Sequence, residues 1–412
     1  MKPEILFYSD CPFFAGCENM IANLLNSSTL QTEFSLSFAY SSSSEYEQGL
    51  NVRVSNTIYR KYPLQFKKQK LNLRTHSLKY FEIFHRIARG IYLIFYKYYS
   101  IIVNTLILYK FFRKRKIDIL HINNGGYPAA YSCYSAVIAA RLVGVKNVIY
   151  VVNNIPQDYK NPFRWLDYPI DFFIREWVTV FITGSVYAGE KLKETLRLNN
   201  NHLAIPNGIR KREITLSKEQ FIVKYNVPEG RLIATLIANL EKRKGHIFLY
   251  EAIKQIQSQY EDSSIPFFII EGSGPEKLEL EKYVANHKLE KYIWMVDHIP
   301  DIFNLLNASD FIILPSIFNE DFPNVVLEAM SLGKPVIGTS IAGIPEQVDN
   351  FKTGIIVEPQ NAEALKNAIM ELVLNPDKLK EYAQASKLKF DALFTESISV
   401  NKYIDLYRSL IK

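Results

Sequence analysis

The sequence predicts an α/β protein built from two parallel-sheet domains, and three observations carry that reading. Short apolar runs alternate with helical patterns along the chain, the order that builds a parallel sheet covered by helices on both faces. The 412 residues give two domains at roughly 100–200 residues each. A turn at residues 204–210, followed by a polar stretch through Arg231, separates two sets of such runs.

In order, the expected strands are residues 4–8, 117–122, 147–152 and 180–183 before the junction, and 232–238, 266–271, 311–314 and 335–338 after it. Each is a short, mostly apolar run ending in a turn, as a strand buried on both faces should be. Residues 41–44, all serine, read as a loop. The domains that follow are 1–208 and 213–394, with a final helix at about 395–412 that can pack back on the first. Ligands of such sheets bind at the carboxyl ends of the strands.

Hydrophobic residues make up 48% and charged residues 22%, a globular rather than a disordered composition. The net charge of +7 is unevenly spread. Residues 51–116 carry 16 Lys and Arg against one acid, Glu82, a local net of +15, and the rest carries 33 bases against 41 acids, a net of −8. A nucleic acid is not the expected partner of such a distribution. Three cysteines, Cys11, Cys17 and Cys133, are too few for a disulfide framework and fit a reducing cytoplasm. The first two, six apart with no second pair downstream, do not have a metal-ligand spacing. The apolar run near the start is too short for a signal peptide. Residues 91–109 are long enough just to span a bilayer. Lys97, Ser100, Asn104 and Thr105, and the strand that follows, favour instead a helix buried in or lying along a domain, with docking on a membrane surface through its basic flanks as the second placement.

The second half carries the chemistry. A basic cluster, Lys242, Arg243 and Lys244, precedes Gly245 and a helix beginning near His246. Free N–H groups and the dipole of a helix start, with a lysine beside them, suit an anion. Farther on, a loop carries Glu320, Asn324 reads as a helix N-cap, and Glu328 falls one turn into that helix. The two carboxylates are thereby expected at different depths, where they can accept hydrogen bonds from sugar and ribose hydroxyls. The N–H groups at Asn324 and Val325 can face phosphate.

With these pieces in this order, the chain resembles retaining glycosyltransferases of the GT-B fold, family 4 (glycosyl transferases group 1). The likeness rests on Lys244 with Gly245, on Glu320 and Glu328, and on the segments 206–208, 271–275, 310–316 and 343–346; it is strong over 204–360 and weaker before. It implies two Rossmann-like domains facing a cleft, the first taking the acceptor and the second the nucleotide sugar. Carried over residue by residue, Lys244 neutralises the donor diphosphate, Glu320 holds hydroxyls of the donor sugar, Glu328 holds the ribose, and the backbone around His298, Ile299 and Pro300 meets the base. Asn239 stands where the family has an arginine, and Arg243 is the candidate to replace its charge. In the first half, Gly16 stands in place of a glycine-rich loop, His121 ends a strand as a further catalytic candidate, and Asn153 replaces a histidine near the reacting sugar. Asparagine cannot exchange a proton near neutral pH but can bond a hydroxyl. In the front-face mechanism implied by the family, the leaving diphosphate takes the acceptor's proton. Taken singly, each residue also has an ordinary reading: Glu320 and Arg243 solvated, Glu328 on a helix surface, Asn239 and Asn153 in turns, His121 as strand-end packing.

The 14 aspartates include no Asp-x-Asp, which argues against the metal-dependent GT-A class. No metal or other cofactor is expected, and a UDP- or GDP-sugar is the expected substrate. The expected partners are this donor and a glycan or lipid-linked acceptor; residues 59–116 suit an anionic membrane surface, with plain solvation of that half by its bases as the alternative. The setting is bacterial polysaccharide or lipopolysaccharide synthesis, in the cytoplasm or on the cytoplasmic face of the inner membrane. The alternative is a non-catalytic sugar- or nucleotide-binding protein of the same fold. A dinucleotide oxidoreductase is disfavoured, since Lys277 stands where the third glycine of the fingerprint begun at Gly272 and Gly274 belongs.

Overall fold

The computed structural model describes residues 2–14, 16–55, 58–66 and 81–411; of residues 81–89 and 91 it describes the backbone only. The bases at residues 67–80, part of the +15 segment, lie outside the described residues. The chain folds as two compact units, the first made of Met1–Thr183, Gly189–Ile205 and Val400–Lys412, the second of Gly184–Ala188 and Pro206–Ser399.

The first unit holds strands β1 (Glu4–Ser9), β2 (Ser35–Ser41), β3 (Arg60–Leu64), β4 (Ile119–Asn124), β5 (Asn147–Val152), β6 (Val180–Thr183) and β7 (His202–Ala204), in the order β3-β2-β1-β4-β5-β6-β7. The second holds β8 (Ile233–Ile237), β9 (Phe267–Glu271), β10 (Ile293–Val296), β11 (Phe311–Leu314), β12 (Val336–Thr339) and β13 (Gly354–Val357), in the order β10-β9-β8-β11-β12-β13. Every pairing is parallel. The continuous apolar runs are explained by burial on both faces. Ile5 and Phe7 of β1 enter one core and Leu6 and Tyr8 the other, and Phe311 and Ile313 of β11 are likewise opposed to Ile312 and Leu314. Each such side chain contributes about 1.5–3 kcal/mol when fully buried.

Five strands lie outside the expected set. In β2, serines alternate with Leu36, Phe38 and Tyr40. The sequence of β3, Arg-Lys-Tyr-Pro-Leu, is that of a polar edge, where Pro63 costs no ladder bond. The other three are short: β7 has three residues, and β10 and β13, like β7, lie at sheet edges. Of residues 41–44, expected as a loop, only Ser42 and Ser43 form the connection. Ser41 closes β2, and Ser43 caps the helix Ser44–Arg53 by accepting the Tyr46 N–H at 3.1 Å.

The apolar stretch at 91–109 lies in the helix Phe81–Phe112, whose Ile101, Leu108 and Phe112 pack into the first unit's core. Among the described residues, no helix is long and apolar enough to cross a membrane. The final helix, Glu396–Ile411, returns to the first unit: Val400, Tyr403, Ile404 and Tyr407, spaced along one helical face, fill the core under β1. Where the chain enters and leaves the second unit, its two passages run side by side. Ile209 N–H donates to the Phe394 carbonyl at 3.0 Å and Glu396 N–H to the Ile209 carbonyl at 3.2 Å, and a Cβ on Gly208 would lie 2.6 Å from the Thr395 carbonyl oxygen.

His121 belongs to this core and not to a reactive surface. Its ring packs against Phe7, Tyr403 and Tyr407, its Nδ1 shares a 2.8 Å hydrogen bond with the Tyr407 hydroxyl, and burial pushes its pKa down to about 3. The catalytic role expected of it does not fit a fully enclosed, neutral imidazole. A pH dependence follows. The folded ring stays neutral down to about 3, whereas in the unfolded chain it takes a proton below about 6.5. Its contribution to stability is therefore complete above pH 6.5 and lost as the pH falls toward 3. The urea midpoint should fall between pH 7.5 and pH 5, and the fall should be smaller in His121→Phe.

Candidate functional site

In the second unit β8 and β11 are neighbours, yet the chain leaves β8 for β9 on one side and β11 for β12 on the other. Connections diverging from adjacent strands open a crevice at their carboxyl ends. The loop after β8 leads into the helix His246–Gln259, and the loop after β11 into the helix Asn324–Ser331; no side chain caps either start. Two sets of first-turn N–H groups, each carrying the positive end of a helix dipole, thus follow adjacent strands.

Gly245 brings the two loops together. Its φ is 70°, and a Cβ there would lie 2.0 Å from the Pro315 carbonyl oxygen. Ile317 N–H donates to the Arg243 carbonyl at 2.8 Å. This contact sets Lys244 against Glu320: the ammonium donates to the carboxylate, which also accepts the Ser316 hydroxyl at 3.1 Å. Arg243 lies 3.5 Å from Glu320 and 2.6 Å from Glu241, and donates to the Asn319 carbonyl at 3.2 Å. The cluster of Arg243, Lys244, Glu241 and Glu320 is charge-balanced as it stands.

The remaining expected residues are placed as follows. Glu328 is 8% exposed and Glu320 7%, so both carboxylates are buried. Asn324 is not an N-cap: it is the first helical residue, Pro323 holds the cap position, and the Asn324 side chain accepts from Asn207 Nδ2 at 3.0 Å. Proline before the helix suits the extended cap conformation, and Val325 follows as the second helical residue. Asn239 is exposed, its carbonyl taking the Glu241 N–H at 2.8 Å. Ile299 N–H donates to Glu271 at 3.4 Å, and the exposed His298 ring lies 3.6 Å from the same carboxylate, whose pKa burial raises. In the first unit, Gly16 opens a short turn after β1. Asn153, after β5, donates to Asn123 Oδ1 at 2.8 Å and to the Asn124 carbonyl at 2.9 Å, so its amide ties two strand ends together.

Several site-forming residues escaped the sequence. Asp321 is buried, accepts the Gly184 N–H at 3.3 Å and the Ser185 hydroxyl, and is pushed up to about 6 by burial and then by Glu346. Glu346 accepts the N–H groups of Val186 and Tyr187 at 2.9 and 2.8 Å. These bonds are why residues 184–188 pack with the second unit. The Glu-Asp doublet at 320–321 was the available signal. Cys11, Cys17 and Glu18, whose spacing gave no metal signal, do converge: their ligand atoms lie within 4.8 Å of one another, and the sulfurs are 3.7 Å apart. The neighbouring thiol and burial hold Cys11 protonated, and Glu18 accepts from Ser9 and Tyr46 at 2.6 and 3.0 Å.

The Gly245 contact is testable. Gly230 shares the left-handed backbone, with φ of 77°, but nothing lies within 4 Å of its missing Cβ. Gly230→Ala should cost about 1–2 kcal/mol. Gly245→Ala should cost more, because the Pro315 carbonyl must move; paired urea titrations measure the difference.

Residues 217–389 match the family model of the glycosyl transferases group 1. Over 317 residues, 74% of this chain and 78% of the relative, the chain is 26% identical to the UDP-Gal:alpha-D-GlcNAc-diphosphoundecaprenol alpha-1,3-galactosyltransferase of Escherichia coli. Over 202 residues it is 25% identical to the N-acetyl-alpha-D-glucosaminyl L-malate synthase of Bacillus anthracis, covering 49% of this chain and 51% of that one. The chain thus spans about half the length of the second relative. Among solved structures it is similar to a glycosyltransferase from Rickettsia africae ESF-5, with a TM-score of 0.76 and 19% identity over 100% of this chain and 99% of that one. It is similar also to Anabaena HepE in complex with UDP, with a TM-score of 0.75 and 15% identity over 99% and 100%. At these identities the structural likeness speaks for the fold, that of the GT-B glycosyltransferases. On that fold, residues 217–389 are the part that is similar to the glycosyl transferases group 1.

Proposed function

We propose that the protein is a retaining, family 4 glycosyltransferase that moves a sugar from a UDP- or GDP-sugar to a hydroxyl of a glycan or lipid-linked acceptor, in bacterial cell-surface polysaccharide or lipopolysaccharide synthesis. The observation that carries this reading is the Lys244–Glu320 pair, with Arg243 beside it, on loops that lead into two uncapped helix starts. An incoming diphosphate brings negative charge to this balanced cluster. Lys244 and Arg243 turn to the phosphate oxygens, and Glu320, released, accepts hydroxyls of the donor sugar. Glu328 takes the ribose hydroxyls, and the backbone at 298–300, tethered by Glu271, takes the base. The Escherichia coli relative is named for UDP-Gal and the HepE structure holds UDP, which supports a nucleotide-linked donor.

As the bond to the sugar breaks, charge develops on the departing diphosphate. Two cations and two helix dipoles fixed around it stabilise that charge without reorganising. The diphosphate then accepts the acceptor's proton, so no protein base is required. This agrees with an Asn153 amide committed to β4 and a His121 sealed in the core. The exposed stripe Tyr92, Phe95, Tyr99, Ile102 and Leu106 leads along its helix to Lys110, Arg113 and Lys114, a pattern suited to lying on the anionic cytoplasmic face of a membrane.

The test is nucleotide release from a panel of UDP- and GDP-sugars, with NMR of the product's anomeric carbon. Release with one donor and retention of its configuration are expected. Lys244→Ala should lower kcat/KM by about 10²–10³-fold, and Glu320→Ala should abolish transfer while the circular dichroism stays unchanged. Nucleotide binding with no release from any donor would establish the non-catalytic alternative.

A further inference from the structure

A cavity of about 700 Å³, within the range of small-molecule sites, opens at the carboxyl edge of the first unit's sheet. Its position repeats the logic of the second unit. β1 and β4 are neighbours whose chains depart in opposite directions, toward β2 and β5. The walls come from residues that follow them, Asp10 after β1 and residues 128–132 after β4, closed by the loop after β5 and by the helix Phe81–Phe112.

The polarity of this cavity is layered. Its floor is polar and sealed: Asn104, Ser132 and Arg164 are 3%, 4% and 3% exposed. Ser132 donates to Asp10 at 2.6 Å. Arg164 lies 3.0 Å from Asp167 and 2.7 Å from Asp171, and Lys97 pairs with Asp167. The Arg164 Nη2 is buried with no hydrogen-bond partner among the described residues. The two carboxylates of the lining, Asp10 and Asp167, balance its two cations, Lys97 and Arg164, with Asp171 behind them, so no excess positive charge calls for an anionic head group. These groups suit hydroxyls, which donate to carboxylates and accept from Arg and Lys. The rim is the reverse, apolar and open: Leu93 and Leu166 are each 37% exposed and Phe163 is 70% exposed. A free sugar would satisfy the floor and leave the rim wet. An aliphatic chain would cover the rim and leave the floor unpaired, at a cost.

We propose that this cavity binds the acceptor and that the acceptor is an amphiphile: a saccharide carried on a lipid, its sugar hydroxyls on the Asp10–Ser132–Arg164 floor and the first methylenes of its chain across Leu93, Phe163 and Leu166. The proposal rests on the transferase reading and names the acceptor class that reading leaves open.

Binding to the intact protein, followed by tryptophan fluorescence with Trp165 beside the rim, tests it. The probes are decyl glycosides of glucose, galactose, N-acetylglucosamine and maltose, the four free sugars, and decylphosphocholine, all below their micelle concentrations. At least one decyl glycoside should bind saturably and about 60-fold more tightly than its free sugar, as three buried methylenes at about fourfold each require. Leu93→Asp should remove most of that gain and leave the free sugar's affinity unchanged. Asp10→Asn should weaken glycoside and free sugar together by about tenfold, the size of one hydrogen bond to a charged group, without affecting decylphosphocholine. Equal affinity for glycoside and free sugar, equal affinity for glycoside and decylphosphocholine, indifference to either substitution, or no binding by any glycoside would each overturn the proposal. Nucleotide release from the donor panel is measured on the same wild-type protein: its absence counts against the transferase reading, whereas release together with any of those results counts against this acceptor class alone.

Discussion

The candidate site of the second unit depends on one contact, between the backbone of Gly245 and the carbonyl of Pro315. No side chain fits there. Because none is present, the loop after β8 lies directly on the loop after β11, the Arg243 carbonyl takes the Ile317 N–H, and Lys244 reaches Glu320. Gly272 and Gly274 act in the same way one strand over, where a Cβ would lie 2.0 Å from the Ala238 carbonyl oxygen and 2.5 Å from that of Leu240. A stack of three loops, each admitted by a missing side chain, forms the edge on which the charged groups are mounted.

Much of this was legible in the sequence because the strands that position it are buried on both faces. Such strands carry unbroken apolar runs, and β1, β5, β8 and β11 gave themselves away. Lys244, Glu320 and Glu328 could be picked out because each sits just past such a run. The edge strands were hidden for other reasons: β3 faces solvent enough to carry Arg60 and Lys61, and β10, though apolar, is only four residues long. Asn324 misled because asparagine before an apolar helix has the chemistry of a cap, and only the backbone shows that Pro323 already occupies that place. His121 misled because a polar residue near a strand end looks available. Its partner Tyr407 lies 286 residues away, and no local pattern announces it. Asp321 and Glu346 are of the same kind, acceptors for backbone N–H groups of a distant segment.

On the proposed reading, the two units use one device for two kinds of ligand. Each opens at the point where neighbouring parallel strands send their connections in opposite directions. In the second, two helix starts flank the Arg243 and Lys244 cations with their carboxylate partners, the equipment proposed for a diphosphate. In the first, the opening has a sealed polar floor and an aromatic, aliphatic lip, the equipment for a hydroxyl-rich head with an oily tail. The charge imbalance of the sequence falls into the same division. The bases of the helix Phe81–Phe112 and the turn after it belong to the first unit, and the acidic remainder surrounds a small positive focus at Arg243 and Lys244.

The last helix carries a consequence for how the molecule is made. Tyr403, Ile404 and Tyr407 are core residues of the unit to which Ile5 and Phe7 also belong. A ribosome delivers the chain from its N-terminus, and domains commonly fold as they emerge. Here the earliest-made unit waits, with the floor beneath β1 open and the His121 ring without its partner, while the whole second unit is translated. The second unit lacks nothing that comes later than Ser399. Synthesis order and completion order are therefore reversed: the half made earlier is completed later, and a nascent chain stalled before the segment Val400–Lys412 has emerged exposes apolar surface that a chaperone would have to shelter.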